Sequence, residues 1–370
     1  MLNILVYYPY NLRTVEQQSV MEMFVKRGHK VVLLTSCERG ELHSIVEKMG
    51  VITESFSGKG GRWKQFRQKY KQLSQVIDKY HIDLVIAQQQ DTALVAGILK
   101  KFKRFKLLYV RHNSDEAYQA HPFKAKWLNW FINKITPLKV APSSTVENFW
   151  INHEGVSKKQ VRRVNYGYNF SQYEEPVTAE VEKIRDQYPA KLLILSMARL
   201  VPAKRHREMF SVIKQLHSKG LDLKLICLGS GPLQEELENL ITIEGMQDYI
   251  FLAGRHNNIF DYIAAADVFL HLSLSEASNS AVKEAGLLDK TVIVCKGVGD
   301  FEDYIIHEKN GFLVNKAEAV SETTAILEKL YNNKELLHNC GTNLRDTVIK
   351  TFSIDRVAPV YDALVKETNE

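Results

Sequence analysis

The chain has 370 residues, 45% hydrophobic and 25% charged, enough for two hydrophobic cores and unlike a disordered or fibrous chain. Its four cysteines, Cys37, Cys227, Cys295 and Cys340, lie far apart with no CxxC pair, which argues against a disulfide framework and a cysteine zinc site. The net charge of +6 conceals an asymmetry: residues 1–173 carry 27 Lys/Arg against 13 Asp/Glu, a net +14, and residues 174–370 carry 22 against 30, a net −8.

Taken in chain order, short β-prone runs alternate with helical patterns. The first half offers NILVYY, VVLLTS, DLVIAQ, KLLYVRH and LKVAPS; the second offers LLILSMA, KLICLGS, IFLAG, DVFLHLS and TVIVCK. Near-continuous hydrophobicity points to strands buried on both faces, hence parallel sheets covered by helices. The predicted fold class is α/β, with two doubly wound, Rossmann-like domains, residues 1–173 and 174–353, facing a central cleft. The rhythm breaks in YGYNFSQYEEPVTAEVEK, the linker candidate, and a terminal helix over 354–370, interrupted near Pro359, is expected to pack back on the first domain. No apolar run approaches the roughly 18 residues of a membrane-crossing helix, and MLNILVYYPYN enters a strand directly, so the expected place is cytoplasmic.

The residues just after each strand are where such sheets bind ligands. After LLILSMA comes RLVPAKR, with Arg199 at the strand end and Lys204 near the next helix start. Two cations beside a helix N-terminus make a seat for a diphosphate. LGSGP brings Gly229 and Ser230, a turn where a ligand can approach the backbone, and RHNN after IFLAG brings Arg255, His256 and Asn257 as candidate pocket lining. In HLSLSEASNSAVKEAG, Ser278 or Asn279 is the helix N-cap. Glu276 therefore belongs on the loop, while Glu284 lies inside the helix. Eight residues of helix span roughly 12 Å, too far for two acids sharing a proton but comparable to the length of a sugar nucleotide. One acid can serve the ribose and the other the transferred sugar, with the diphosphate between them at Arg199, Lys204 and the helix start, Asn279 and Ser280.

These pieces resemble the family-4 retaining glycosyltransferases of GT-B fold. Their Glu-x7-Glu motif matches Glu276 and Glu284, their Arg and Lys match Arg199 and Lys204 in ARLVPAKR, and LGSGP and FLAG follow in the family's order. The resemblance implies that Glu284 binds the ribose, that Glu276 contacts the donor sugar near the reacting centre, and that the two cations stabilise the leaving diphosphate. It implies a catalytic-side role for His112, at a strand end where family members carry a histidine, and it groups Gly229, Ser230 and Arg255 with the nucleoside. VNYGYNFSQY resembles the family's connection, with Gly167 and Asn169 in matching places. The first βα loop departs from the family by lacking paired glycines, leaving Asn11 and Arg13 as its acceptor or phosphate candidates. Ala277, Ser278 and Asn279 replace the usual glycine-rich turn, which bears on the choice of sugar.

No metal and no cofactor are expected, only a nucleotide diphosphate sugar as co-substrate. GDFEDYI, with Asp300, Glu302 and Asp303, reads as a turn and helix start, and Arg199 and Lys204 supply the positive charge. The basic first half is expected to meet an anionic membrane surface. In HPFKAKWLNWFINKITPLK, Phe123, Trp127, Trp130 and Phe131 fall at helical spacing beside Lys124, Lys126 and Lys134, as in an interfacial helix; a core-facing aromatic stripe is the commoner alternative. No nucleic-acid-binding module accompanies the charge. The expected activity is transfer of a sugar to a hydroxyl of a lipid-linked or cell-surface glycan acceptor, at the inner face of the cell membrane. The rivals are a sugar-nucleotide 2-epimerase on the same scaffold and a non-catalytic sugar-nucleotide-binding membrane scaffold.

Overall fold

Seven of the sequence's apolar and mixed runs form the first sheet in the computed structural model, which describes residues 1–112 and 122–367. They are β1 (Asn3–Tyr8), β2 (Lys30–Thr35), β3 (Ile52–Ser55), β4 (Leu84–Gln88), β5 (Lys106–Val110), β6 (Leu138–Ala141) and β7 (Val161–Arg163). The order is β3-β2-β1-β4-β5-β6-β7 with every pairing parallel, from Ile4 beside Val31 and Leu84 to Val140 beside Arg162. Right-handed crossovers put helices on opposite faces once the strand order reverses between β1 and β4. Val15–Lys26 packs with Glu41–Glu47 and Ile354–Glu367 on one face; Arg62–Tyr80, Gln90–Leu99 and Pro122–Ile135 pack side by side on the other.

This sheet belongs to a unit made of Met1–Gln172 and Phe352–Glu370. The helix Ile354–Glu367 completes its core: Val357, Tyr361, Leu364 and Val365 are buried with Ile4, Phe24, Leu33 and Val110. Contrary to the sequence expectation, that helix runs unbroken through Pro359. Burial of its apolar face outweighs the hydrogen bond that proline cannot make. Gly167 admits the helix, since a Cβ there would stand 2.7 Å from Ile354 Cδ1, and Asn169 pins the same connection by donating from Nδ2 to Glu22 at 2.9 Å.

The second unit, Tyr173–Thr351, contains β8 (Leu192–Met197), β9 (Leu223–Leu228), β10 (Ile250–Gly254), β11 (Val268–His271), β12 (Thr291–Cys295) and β13 (Phe312–Val314). All are parallel, in the order β10-β9-β8-β11-β12-β13. The central strands are buried along most of their length, with Leu193, Ile194, Phe269 and Ile293 fully inaccessible. Here the order reverses between β8 and β11, and their carboxyl ends flank the crevice where open α/β sheets take ligands. Among the described residues no helix is long and apolar enough to cross a membrane.

Candidate functional site

The two strands that flank this reversal deliver most of the charged side chains singled out in the sequence. β8 leads through Ala198 to Arg199 and the turn Pro202–Lys204; β11 ends at His271 and leads into the loop bearing Glu276. Across that gap Lys204 Nζ is ion-paired with Glu276 Oε1 and donates to Ser273 Oγ at 3.3 Å. His271 Nε2 donates to the same carboxylate oxygen at 2.7 Å, and Asn279 Nδ2 lies 3.2 Å from that ring nitrogen. Burial alone would push the Glu276 carboxyl up, but the bonds and charges of His271 and Lys204 overcome it and hold the group down at about 2. Glu276 is therefore a carboxylate at any physiological pH. It accepts hydrogen bonds and has no proton to give.

Asn279 is the N-cap of the helix Ser280–Leu287, its Oδ1 accepting from the Val282 amide at 3.0 Å, so the exposed amide end begins at Ser280. Glu284 sits within this helix, half-buried. Arg199 is exposed and makes no ion pair with a described residue, leaving its guanidinium available to an anion. Gly229 and Gly231 allow a close approach between two loops. A Cβ on Gly229 (φ +138°) would stand 2.0 Å from the Ala198 carbonyl oxygen, and one on Gly231 2.4 Å from that of Leu200. The space is filled by the loop carrying Arg199, so these glycines let two strand-end loops meet. Arg255 donates from Nε to Ser230 Oγ at 2.8 Å and joins the third strand end to the same cluster. His256 is bonded locally to the Ala253 carbonyl at 2.9 Å.

In the first unit, His112 follows β5 beside the carboxyl end of β4. Its Nε2 meets Gln88 Oε1, whose amide donates to Gln17 at 3.1 Å, and its Nδ1 meets Tyr166 Oη, the pattern of a ring protonated on Nε2. Burial pushes it down to about 4, so the ring is neutral at physiological pH. It lines a cavity of about 260 Å³ with Gln90, Asp91 and Arg111; Arg111 is held at 2.8 Å by Glu154 in a buried pair. Asn11 donates from Nδ2 to the Glu38 carbonyl at 2.8 Å, and its backbone carbonyl accepts from the Leu42 amide at 3.1 Å. Arg13 is exposed and donates to the Gln172 carbonyl at 3.1 Å.

Sequence reasoning passed over His271, which reads as one more residue of a buried strand, and Lys283, whose position inside a helix carries no signal. Asp300, considered as a metal ligand, is paired with Lys283 at 2.6 Å, and Glu302 accepts from the Gly297 amide at 2.6 Å. The aromatic segment does not line the core. Ala125, Asn129 and Ile132 face inward along the helix Pro122–Ile135, whereas Phe123 and Trp127 are 84% and 71% exposed. Lys134 lies 4.1 Å over the Trp130 ring. On the helix Arg62–Tyr80, which packs on the other side of Gln90–Leu99, Trp63 is also exposed and stacks on Phe66. His121 and the side chain of Lys124 fall outside the described residues.

Residues 18–172 match the family model Glycosyltransferase Family 4, and residues 179–347 match Glycosyl transferases group 1. An uncharacterized glycosyltransferase of Methanocaldococcus jannaschii is 22% identical over 83% of this chain and 84% of its own length. The N-acetylgalactosamine-N,N'-diacetylbacillosaminyl-diphospho-undecaprenol 4-alpha-N-acetylgalactosaminyltransferase of Campylobacter jejuni is 28% identical over 46% of this chain and 45% of its own. The crystal structure of HepE from Anabaena in complex with UDP and glucose superposes with a TM-score of 0.85 at 19% identity, covering 99% of this chain and all of that one.

Proposed function

The chain belongs to the family-4 glycosyltransferases of GT-B fold, and from that premise we propose that it is a retaining, metal-independent hexosyltransferase using a nucleotide diphosphate sugar. The observation that carries this reading is the Lys204–Glu276–His271 cluster at the carboxyl ends of β8 and β11, one residue-run away from a capped helix start. The donor diphosphate rests against Arg199, Lys204 and the amide end at Asn279 and Ser280, where cations and aligned N–H groups act together. Glu284 takes the ribose hydroxyls, and Gly229, Ser230 and Arg255 shape the nucleoside side. Glu276, fully ionised, accepts from a sugar hydroxyl.

Lys204 resolves the conflict of an anionic side chain beside an anionic ligand, because one ammonium can bridge carboxylate and phosphate. As the glycosidic C–O bond breaks, negative charge grows on the diphosphate, and Arg199 and Lys204 stabilise it more than they do the ground state. A diphosphate oxygen takes the proton of the acceptor hydroxyl as the acceptor's own oxygen bonds the anomeric carbon from the departing face. Configuration is thereby retained. Positive charge comes from side chains, so the step calls on no metal.

The acceptor is a lipid-linked or cell-surface glycan precursor. Support comes from the exposed aromatic and basic residues of Pro122–Ile135 and Arg62–Tyr80, suited to an anionic leaflet, and from the Campylobacter relative, whose name specifies a diphospho-undecaprenol acceptor. In this reading the protein works peripherally at the inner face of the cell membrane; His112, with its neutral ring, orients the donor sugar near the reacting centre, and Arg13 and Asn11 belong to the acceptor side. The test is turnover with a panel of sugar nucleotides, UDP-glucose first because HepE binds UDP and glucose, with Glu276→Ala and Lys204→Ala as controls. NMR of the product's anomeric proton decides retention, and unchanged turnover in both variants removes the site.

A further inference from the structure

A second charged cluster lies sealed beneath the loop that carries Glu276. The side chains of Lys283 and Asp300 are 1% and 0% exposed, with Lys283 Nζ 2.6 Å from Asp300 Oδ2. Ser278 Oγ donates to that same oxygen at 2.6 Å and accepts from Lys283 at 2.9 Å; Lys283 also donates to the Asn279 carbonyl at 3.0 Å. The helix Ser280–Leu287 and the segment after β12 are thus both tied to residues 278 and 279, two and three positions beyond Glu276. The residue before Asp300 shows what this does. Gly299 has φ +54°, and a Cβ there would stand 2.9 Å from Glu276 Cβ, so the absence of a side chain lets this segment lie directly against the Glu276 side chain.

Stability does not account for such a pair, since well-packed apolar side chains of similar volume often serve a buried site as well or better. What an apolar pair lacks is direction: bonds to one hydroxyl and one carbonyl that fix the loop in a single placement. We propose that Lys283 and Asp300, bridged by Ser278, are positioning residues that hold the Glu276 carboxylate at the transferred sugar, without touching substrate themselves. This rests on the reading of Glu276 as the acid that contacts the sugar.

The test is the double variant Lys283→Met/Asp300→Leu, which keeps the volume and removes the charges, with Ser278→Ala as a milder companion that keeps the pair. Three quantities are compared with the parent: the melting temperature, UDP affinity by calorimetry, and kcat and KM with UDP-glucose or whichever sugar nucleotide the panel shows to turn over. The expected result is a folded protein with UDP affinity within about twofold and kcat lower by about tenfold to a hundredfold, the range for misplacing a contact by an ångström or less. Ser278→Ala falls the same way by less. A double variant with the parent's kcat overturns the proposal, as does a parallel loss of UDP affinity and kcat, which marks the pair as support for the whole unit. Glu276→Ala separates this from the underlying reading: if it turns over like the parent, the sugar contact is wrong; if it is inactive while the double variant is fully active, only the positioning role falls.

Discussion

Lys204 and Glu276, 72 positions apart in sequence, share an ion pair, and the carboxylate oxygen that makes it also receives the His271 imidazole at 2.7 Å. The geometry gives the acid two cationic or donating partners before any substrate arrives. Removing either partner should therefore register in stability as well as in rate.

Lys204→Met leaves a largely buried carboxylate with half its support and should cost about 3 kcal/mol of stability. It should also raise the Glu276 titration from about 2 toward the ordinary 4.5. Because the folded-state value is depressed, the stabilisation is complete above about 4.5 and is lost as pH falls through about 2. Urea melts from pH 6 to pH 3 should show a steeper fall for the parent than for the variant; equal slopes count against the pairing. Glu276→Gln should keep the fold and lower turnover by roughly two to three orders of magnitude.

The loop contact between β8 and β9 predicts a contrast between two glycines. Gly229→Ala places a Cβ into the Ala198 carbonyl and should lose roughly 3 kcal/mol or more. Gly254→Ala, with φ +77° and nothing within 4 Å, meets only backbone strain of about 1 to 2 kcal/mol. Chemical denaturation of the two variants ranks them. A Gly229→Ala protein as stable as Gly254→Ala contradicts the described approach of the two loops.

Two histidines should make the protein acid-labile well above the carboxylate range. Burial pushes His112 down to about 4, and burial with the charges of His271 and Lys204 does the same to His206. Each ring is neutral when folded and prefers a proton when unfolded, so stability is full above about 6.5 and declines until pH reaches about 4. Between pH 7 and pH 5 each should account for a loss of roughly 2 kcal/mol. His112→Gln should remove its share of the slope; an unchanged slope argues that His112 is already charged.

The exposed aromatic residues predict lipid-dependent sedimentation. The protein should pellet with vesicles containing phosphatidylglycerol and not with pure phosphatidylcholine, and raising salt should release it. Phe123→Ser/Trp127→Ser should weaken binding by about tenfold or more while leaving hydrolysis of a soluble donor intact. Equal binding of the parent to both vesicle types sinks the electrostatic part of the argument.

The strands β1, β4, β8 and β11 were legible because they are nearly uninterrupted apolar runs, a pattern that buried parallel strands require. β3, β7 and β13 were not, since ITES, VRR and FLV are too short or too mixed to stand out from a loop. The same division holds at the candidate site. Glu276, Asn279 and Arg199 announce themselves through the local chemistry of a cap, a loop and a strand end. His271, Lys283 and Asp300 acquire their roles only from partners on other elements, which no local pattern encodes. The bond from the Asn11 side chain to the Glu38 carbonyl likewise joins two loops that no local pattern links.

The first sheet's core includes Val357, Tyr361 and Leu364, which the ribosome makes only after the whole of Tyr173–Thr351. Until then, the faces of Phe24 and Leu33 that this helix covers stay open to water or to a chaperone, however early β1 and β2 emerge. A fragment ending at Thr351 should thus have a finished second unit and an unfinished first one, the reverse of the order in which they are translated.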